Sequence, residues 1–240
     1  MSKISIVCPI YTMKDGLSEK FLVEFLSQFF YQSHKDFEIV FSDQSEGDNL
    51  KQIIDTFRYV YDITYVKNTS GKKNAANNVN NAIPHAKGDI VKLLYMDDFF
   101  LDSNALQKID YAFNNHPGKW LIAGFGHCNQ DRTMFWDFRQ PWYGNRYVNG
   151  DNTTGNPSNY AVRRDCALEM DENLLWVVDG EYFYRSYYHY GDPIFINDVL
   201  VCFREHDDSA FLKPEFRELE EKERKYCEEK YSRSVEQKLL

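Results

Sequence analysis

Strand-like runs and helix-periodic segments alternate through the first hundred residues, and this alternation narrows the possible folds more than any other feature. Branched and aromatic runs at Ile4–Ile10, 37–42, 63–66 and 90–96 read as strands, the first ending near Pro9. Between them, Phe21, Leu22, Phe25, Leu26 and Phe29 recur at helical spacing over 17–31. Similar spacing predicts helices over 50–61 and 74–83, the last stopped by Pro84. Strand then helix, repeated, is the pattern of a parallel sheet flanked by helices.

The fourth strand carries the chemistry. A turn signal, Lys87-Gly88-Asp89, leads into an apolar run interrupted only by Lys92 and followed at once by Asp97 and Asp98. A buried strand that delivers two acids to its carboxyl end places charge where open α/β sheets bind ligands. Adjacent carboxylates repel unless a proton or cation lies between them. Mg²⁺ and Mn²⁺ take such oxygens together with substrate phosphates. The alternative is a solvated Asp-Asp turn. The second strand also ends in an acid, Asp43.

The second half is less regular. A helix over 104–115 ends before Pro117-Gly118, and 120–125 reads as a strand. Aromatic residues crowd 134–147 among charges and one proline, which suggests a hairpin or lid. The 148–158 segment, rich in Asn, Gly and Thr, reads as a mobile loop. A short strand at 159–163 precedes a helix that begins near Asp179, and 193–197 and 199–204 are candidate last strands. The charge-dense stretch 213–233 has a thin apolar stripe (Phe216, Leu219, Tyr226, Cys227, Tyr231) and reads as a tail helix with a solvated face.

A formal charge of −9 argues against a general nucleic-acid surface, since phosphate binding needs basic stripes. It is compatible with one nucleotide held through a metal ion. Five scattered cysteines without CxxC spacing suggest reduced, buried thiols, with neither a zinc site nor a disulfide framework. With no signal peptide and no apolar run near the ~18 residues of a spanning helix, the expected location is the cytoplasm, with peripheral membrane association left open.

Several pieces stand in a familiar order: Ser5-Ile-Val-Cys-Pro-Ile-Tyr11, the Glu38 to Asp48 segment, Asn74-Ala-Ala-Asn-Asn78, and Gly88-Asp89 running on to Asp97-Asp98. Trp176-Val-Val-Asp-Gly-Glu-Tyr-Phe-Tyr-Arg185 and Arg204-Glu-His-Asp-Asp-Ser209 follow. The chain resembles the family 2 glycosyltransferases of the GT-A fold across about 4–209. That resemblance implies an α/β fold with a Rossmann-like, mostly parallel central sheet, a smaller acceptor-side sheet and loop region, and a C-terminal helix. It divides the chain into one domain over 1–211, with a nucleotide-sugar half (1–101) and an acceptor half (102–211), and a charged helix over 212–240.

It further implies inverting transfer of a sugar from a nucleotide diphosphosugar, by preference a UDP-sugar, to a hydroxyl of a glycan or glycolipid. Pro9, Tyr11, Asp43, Asn77 and Asn78 would meet the base and ribose, with Asp97 also on the donor side. Asp97, Asp98 and His206 would hold Mn²⁺ or Mg²⁺ against the diphosphate. Asp179 would be the general base, with Glu181 as second choice. Trp136, Trp142, Tyr143, Trp176 and the 156–158 turn would receive the acceptor. Asp43 and Asp179 also have simpler readings as turn and helix caps, and His206 as a structural residue. The pattern departs at Tyr95, where the family would carry a carboxylate.

Two other functions compete. A sugar-1-phosphate nucleotidyltransferase needs a glycine-rich first loop to wrap a triphosphate, and this loop (9–16) has a single late glycine. A degenerate GT-A domain that binds without turnover draws support from Tyr95 and is opposed by Asp179 and His206.

Overall fold

The computed structural model describes residues 2–13, 16–144, 152–207, 209 and 214–236, with the side chains of its last helix over 218–232. Its strands are β1 (Ile4–Ile10), β2 (Phe37–Asp43), β3 (Ile63–Lys67), β4 (Ile90–Leu93), β5 (Phe99–Phe100), β6 (Trp120–Asn129), β7 (Phe135–Arg139), β8 (Tyr160–Arg163) and β9 (Ile194–Glu205). Its α-helices are α1 (Leu17–Gln28), α2 (Asn49–Phe57), α3 (Ala75–Ala82), α4 (Ala105–Asn115), α5 (Val178–Tyr190) and α6 (Pro214–Glu236).

All the strands join one sheet in the order β3-β2-β1-β4-β8-β6-β9-β5, with β7 hydrogen-bonded to β6. The β3-β2-β1-β4 half is parallel, with Ile4 opposite both Phe37 and Ile90. Beyond it the sheet is mixed: β8 runs antiparallel to β4 and β6, and β9 runs parallel to β6. The chain leaves β1 toward β2 on one side and reaches β4 on the other. The carboxyl ends of β1 and β4 thus flank a switch point, where such sheets open a crevice.

Residue alternation along β1 feeds two cores. Ile4, Ile6, Cys8 and Ile10 pack with Phe21 and Phe25 of α1, Ile54 of α2 and Ile109 of α4. Val7 faces the opposite layer, with Val79 of α3, Tyr182 and Phe183 of α5 and Cys227 of α6. Covering both faces is why these strands read as unbroken apolar runs. Truncating Phe25 to Ala would leave a cavity costing about 3–5 kcal/mol. Gly88 is required where the chain enters β4, because a Cβ there would lie 2.6 Å from the Lys3 carbonyl oxygen. The five cysteines are buried and free.

Three expectations need correction. Strand β4 stops at Leu93, short of the expected 96. The Leu94 N–H still reaches the Val7 carbonyl (3.0 Å), but the Asp98 N–H then closes a turn on the Tyr95 carbonyl (3.1 Å). Apolar side chains continue through that turn, which periodicity cannot separate from strand. The two expected last strands are one, β9, in which Ile196 and Val199 pair with consecutive residues of β6. The chain bulges between them, and Gly124 accommodates it: a Cβ there would lie 2.7 Å from the Asp198 carbonyl oxygen.

The third correction concerns α6, which is not a solvated tail. Cys227 and Glu223 are buried, Tyr226 and Lys230 bind Asp171 (2.9 and 2.7 Å), and Lys230 also binds Glu181 (2.7 Å). The Phe216 side chain lies outside the described residues. The 134–144 stretch forms the expected hairpin through β7, while 145–147 lie outside the described residues.

Candidate functional site

A cavity of about 1360 Å³ opens at the carboxyl ends of β1 and β4. It is lined by Pro9, Tyr11, Asn78, Tyr95, Asp97, Asp98, Asp179 and His206, with Ser45, Lys73 and Trp176 among others. The topology accounts for this convergence, since β1, the turn after β4, the end of β9 and the start of α5 all reach the same edge.

The paired acids have different surroundings. Asp97 lies at the cavity edge, and its Oδ2 is 3.0 Å from His206 Nε2. His206 is buried, held edge-on by the Phe21 ring at 5.3 Å, and its N–H donates to Ser209 Oγ (3.0 Å). Asp98 has both oxygens engaged. Oδ1 accepts the Arg204 N–H (3.1 Å), and Oδ2 accepts from Asn156 Nδ2 (3.0 Å). Burial first, then the charge of Asp97, pushes the Asp98 carboxyl up to about 8 against those hydrogen bonds. Asp98 thus braces β9 and the 156–158 turn against the end of β4.

Beneath this turn lies Lys92, whose buried ammonium donates to the carbonyls of Leu93 (2.8 Å), Tyr160 (3.3 Å) and Ser158. Burial pushes it down to about 7, against the pull of Asp98. Tyr95 stands where the family pattern would place an acid. Its N–H donates to Ser158 Oγ (2.9 Å), and its buried hydroxyl finds no hydrogen-bond partner among the described residues. Burial first, then Asp179, Asp98 and Asp97, holds that phenol well above its ordinary range, so it is a neutral donor.

Among the described residues no group of three or more His, Cys, Asp or Glu is placed to hold a metal. Asp97 and His206 nonetheless make a carboxylate–imidazole pair that could contribute to holding Mn²⁺, with a ligand's phosphate oxygens supplying the rest, while Mg²⁺ would rely on the carboxylate and phosphate oxygens alone.

Asp179 lies one residue inside α5, on the cavity wall, and burial pushes its carboxyl up to about 7. It does not cap its helix: no side-chain hydrogen bond caps α5 from within its own sequence. Glu181 faces elsewhere, held by two guanidinium nitrogens of Arg185 (2.8 and 2.9 Å), by Lys230 (2.7 Å) and by Tyr231.

The nucleotide-side residues divide. Pro9, Tyr11 and Asn78 line the cavity. Asn78 is fully buried; it accepts from Ser42 Oγ (2.6 Å) and donates to the Ile10 carbonyl (3.0 Å), tying α3 to two strand ends. Asn77 is turned away from the cavity and accepts from Asn68 (2.9 Å) and Ser70. Asp43 is likewise not on the wall. Its oxygens accept from the Ser45 N–H (2.8 Å), Tyr65 (2.7 Å) and Lys67 (3.2 Å), so it fixes the chain that brings Ser45 and Glu46 to the wall.

Of the aromatics, Trp136 and Trp176 line the cavity. Trp142 is exposed away from it, and Tyr143 stacks on Tyr187 at 4.4 Å, covering the core. Residues 148–151 of the expected mobile loop lie outside the described residues, while Asn152 and Gly155 line the cavity. Gly155 has φ +93°, and a Cβ there would meet the Phe203 ring at 2.9 Å. The sequence reading missed His127 and Glu205, a cavity-lining pair 3.1 Å apart, and Glu220 of α6. Their only local signal was polar residues at strand and helix positions, which is indistinguishable from surface.

A family model described as "Glycosyl transferase family 2" matches residues 5–169, more than half the chain. A curated relative, GalNAc(5)-diNAcBac-PP-undecaprenol beta-1,3-glucosyltransferase from Campylobacter jejuni, is 29% identical over 135 residues, covering 55% of this chain and 42% of the relative. The chain thus spans less than half of that relative's length. S. aureus TarS 1-349 in complex with UDP-GlcNAc superposes with a TM-score of 0.69 at 19% identity, covering 92% of this chain and 66% of that one. The mannosyltransferase PcManGT from Pyrobaculum calidifontis, in complex with GDP-Man and Mn²⁺, gives 0.59 at 14% identity, covering 87% and 58%. These likenesses show the fold, which is of the GT-A type.

Proposed function

Since the chain belongs to glycosyl transferase family 2, we propose that it transfers a hexose from a UDP-sugar to a glycan hydroxyl, with inversion and with Asp179 as general base. The observation that carries this reading is the single cavity joining the Asp97–His206 pair to Asp179 at the sheet's switch point. A base for an acceptor hydroxyl works best with a pKa near the working pH, and burial brings Asp179 to about 7. Deprotonation by Asp179 makes the acceptor oxygen nucleophilic on the face away from the leaving diphosphate.

Asp97 and His206 would hold a divalent cation, which when bound neutralises charge developing on the leaving nucleoside diphosphate. Asp98 ties the end of β9, just ahead of His206, to the turn that carries Asp97. The Tyr95 hydroxyl offers a hydrogen bond in place of a second cavity-facing charge. Tyr11 and Asn78 border the nucleotide, and the Trp136 and Trp176 faces suit the apolar C–H faces of an acceptor sugar.

The relative from C. jejuni carries undecaprenol-PP in its acceptor's name, and the mixed polar and aromatic cavity mouth supports a lipid-linked glycan here too. Such an acceptor would draw the protein to a membrane surface from the cytoplasmic side. Among the described residues no helix is long and apolar enough to cross a membrane. The domain division proposed for this function is 1–101 for the donor and 102–211 for the acceptor, with 212–240 appended.

Calorimetry with UDP-, GDP- and dTDP-sugars, with Mn²⁺ and with EDTA, tests the reading. Tighter binding of a UDP-sugar with Mn²⁺, accompanied by slow donor hydrolysis, is expected. Binding of no donor, or binding indifferent to metal, would overturn the metal-assisted mechanism.

A further inference from the structure

We propose that Glu223 of α6 is a positioning residue for the reaction: it binds the backbone amides just ahead of α5, and this leaves the Asp179 carboxylate facing the cavity. The inference rests on the reading of Asp179 as base.

An acid in the first turn of a helix can reach back to the N–H of the residue just ahead of it, and the helix's amino end carries positive potential. Both draw in a nearby carboxylate. The residue ahead of α5, Val177, has no side-chain oxygen to offer, and no local side chain caps the helix. Glu223 instead takes the amides just ahead of the helix, that of Val177 among them. One of its oxygens accepts the Leu175 N–H (2.8 Å), and the other accepts those of Trp176 (2.9 Å) and Val177 (3.0 Å). Three consecutive amides thus close on one buried carboxylate from a distant part of the chain.

Two acids lie in the first turn of α5, Asp179 and Glu181. Glu181 is already engaged by Arg185, Lys230 and Tyr231. Without Glu223, Asp179 is therefore the remaining acid of α5 that can move to the positive helix end. Tyr95, from the turn after β4, feels the charge of Asp179, and Glu220 of α6 shares its cavity wall, while Glu181 and Arg185 belong to the same helix and Glu223 to α6. Asp97, Asp98, His206 and Lys73 share the cavity. Among the described residues the Asp179 carboxylate accepts no hydrogen bond, a state that the hold of Glu223 on the Val177 N–H permits. Amide hydrogen bonds to a carboxylate favour its charged form, so recruitment to the helix end would lower its pKa as well as turn it from the acceptor.

The experiment compares Glu223→Gln and Glu223→Ala with the unchanged chain. It reads transfer rate against pH at saturating donor, donor affinity by calorimetry, and the Asp179 midpoint by carbon-detected NMR titration. In both variants kcat is expected to fall about tenfold or more with donor affinity unchanged. The Asp179 midpoint should move down by about one pH unit. Glu223→Asp, with a shorter reach, should recover part of the rate.

Tyr226→Phe is the control. It removes an α6 contact to Asp171 without touching the three amides or Glu181, so it should lower Tm and leave the Asp179 midpoint in place. A folded Glu223→Gln variant with rate and midpoint unchanged, or with only a lower Tm, overturns the proposal. Should Asp179→Asn retain transfer within tenfold, the base assignment fails instead, while the NMR midpoint still reports whether Glu223 governs Asp179.

Discussion

The β1–β4 rim and the start of α5 face the same cavity but are built by opposite means. On the rim the functional groups lie at strand ends or in the turns just beyond, placed by backbone pairing of parallel strands whose register is fixed by their own apolar residues. At α5 the helix start is held by a carboxylate on a helix far along the chain, through side-chain contacts alone. One region is specified locally, the other by assembly. Disturbing the rim should therefore change chemistry more than stability, and disturbing its supports should do the reverse.

The largest expected effect is at the rim. Asp97→Asn should lower kcat/KM by roughly 100-fold to 1000-fold, comparable with loss of one transition-state charge contact, and should abolish any response of donor binding to Mn²⁺. Steady-state kinetics with metal titration read both. An Asp97→Asn variant with near-normal activity would break the comparison at its strongest point.

A buried support should behave differently. Asn78→Ala strips partners from Ser42 Oγ and Asn68 and one of the hydrogen bonds to the Ile10 carbonyl. Leaving such groups unsatisfied costs about 1–3 kcal/mol, to be read by urea unfolding.

A subtler effect follows from Asp179. Its folded pKa of about 7 lies above the ordinary 3.8. The folded state therefore holds a proton more tightly than the unfolded one, and stability is lost as pH rises from near 4 through about 7. Asp179→Asn, which cannot ionise, should melt a few degrees (~2–4 °C) above the unchanged chain at pH 8 and level with it at pH 4. The smallest effect is expected at Asn77, which lies off the cavity: Asn77→Ala should leave kcat/KM within about twofold.

The same contrast explains what the sequence made legible. The strand ends at Ile10 and Asp43 and the helices packed on them were readable because a two-sided parallel sheet writes itself as apolar runs with helical spacers. The end of β4 was misplaced because Leu94 and Met96 remain buried after the strand has stopped. Asp43 and Asn77 look like ligand residues in one dimension. In three dimensions their polar atoms are taken by Tyr65, Lys67, Asn68 and Ser70. The difference between Asp97 and Asp98 is also invisible in sequence, because it depends on Asn156 and Arg204 reaching only one of them. The docking of α6 was missed for the same reason. Its apolar stripe is thin, and the contacts that hold it are mostly carboxylates meeting amides, ammonium groups and phenols, which local pattern reads as solvated charge.

The central claim is that one cavity couples a charge-stabilising pair on the rim to a half-buried base on α5. Its most direct test is the rate–pH profile of sugar transfer at saturating donor for the unchanged chain and for Asp179→Asn. An acid limb with a midpoint near 7 should appear in the first. In the variant that limb should vanish, with kcat lower by about 100-fold to 10,000-fold and donor affinity intact. A variant that keeps its rate within tenfold, or keeps the same limb, would contradict the account.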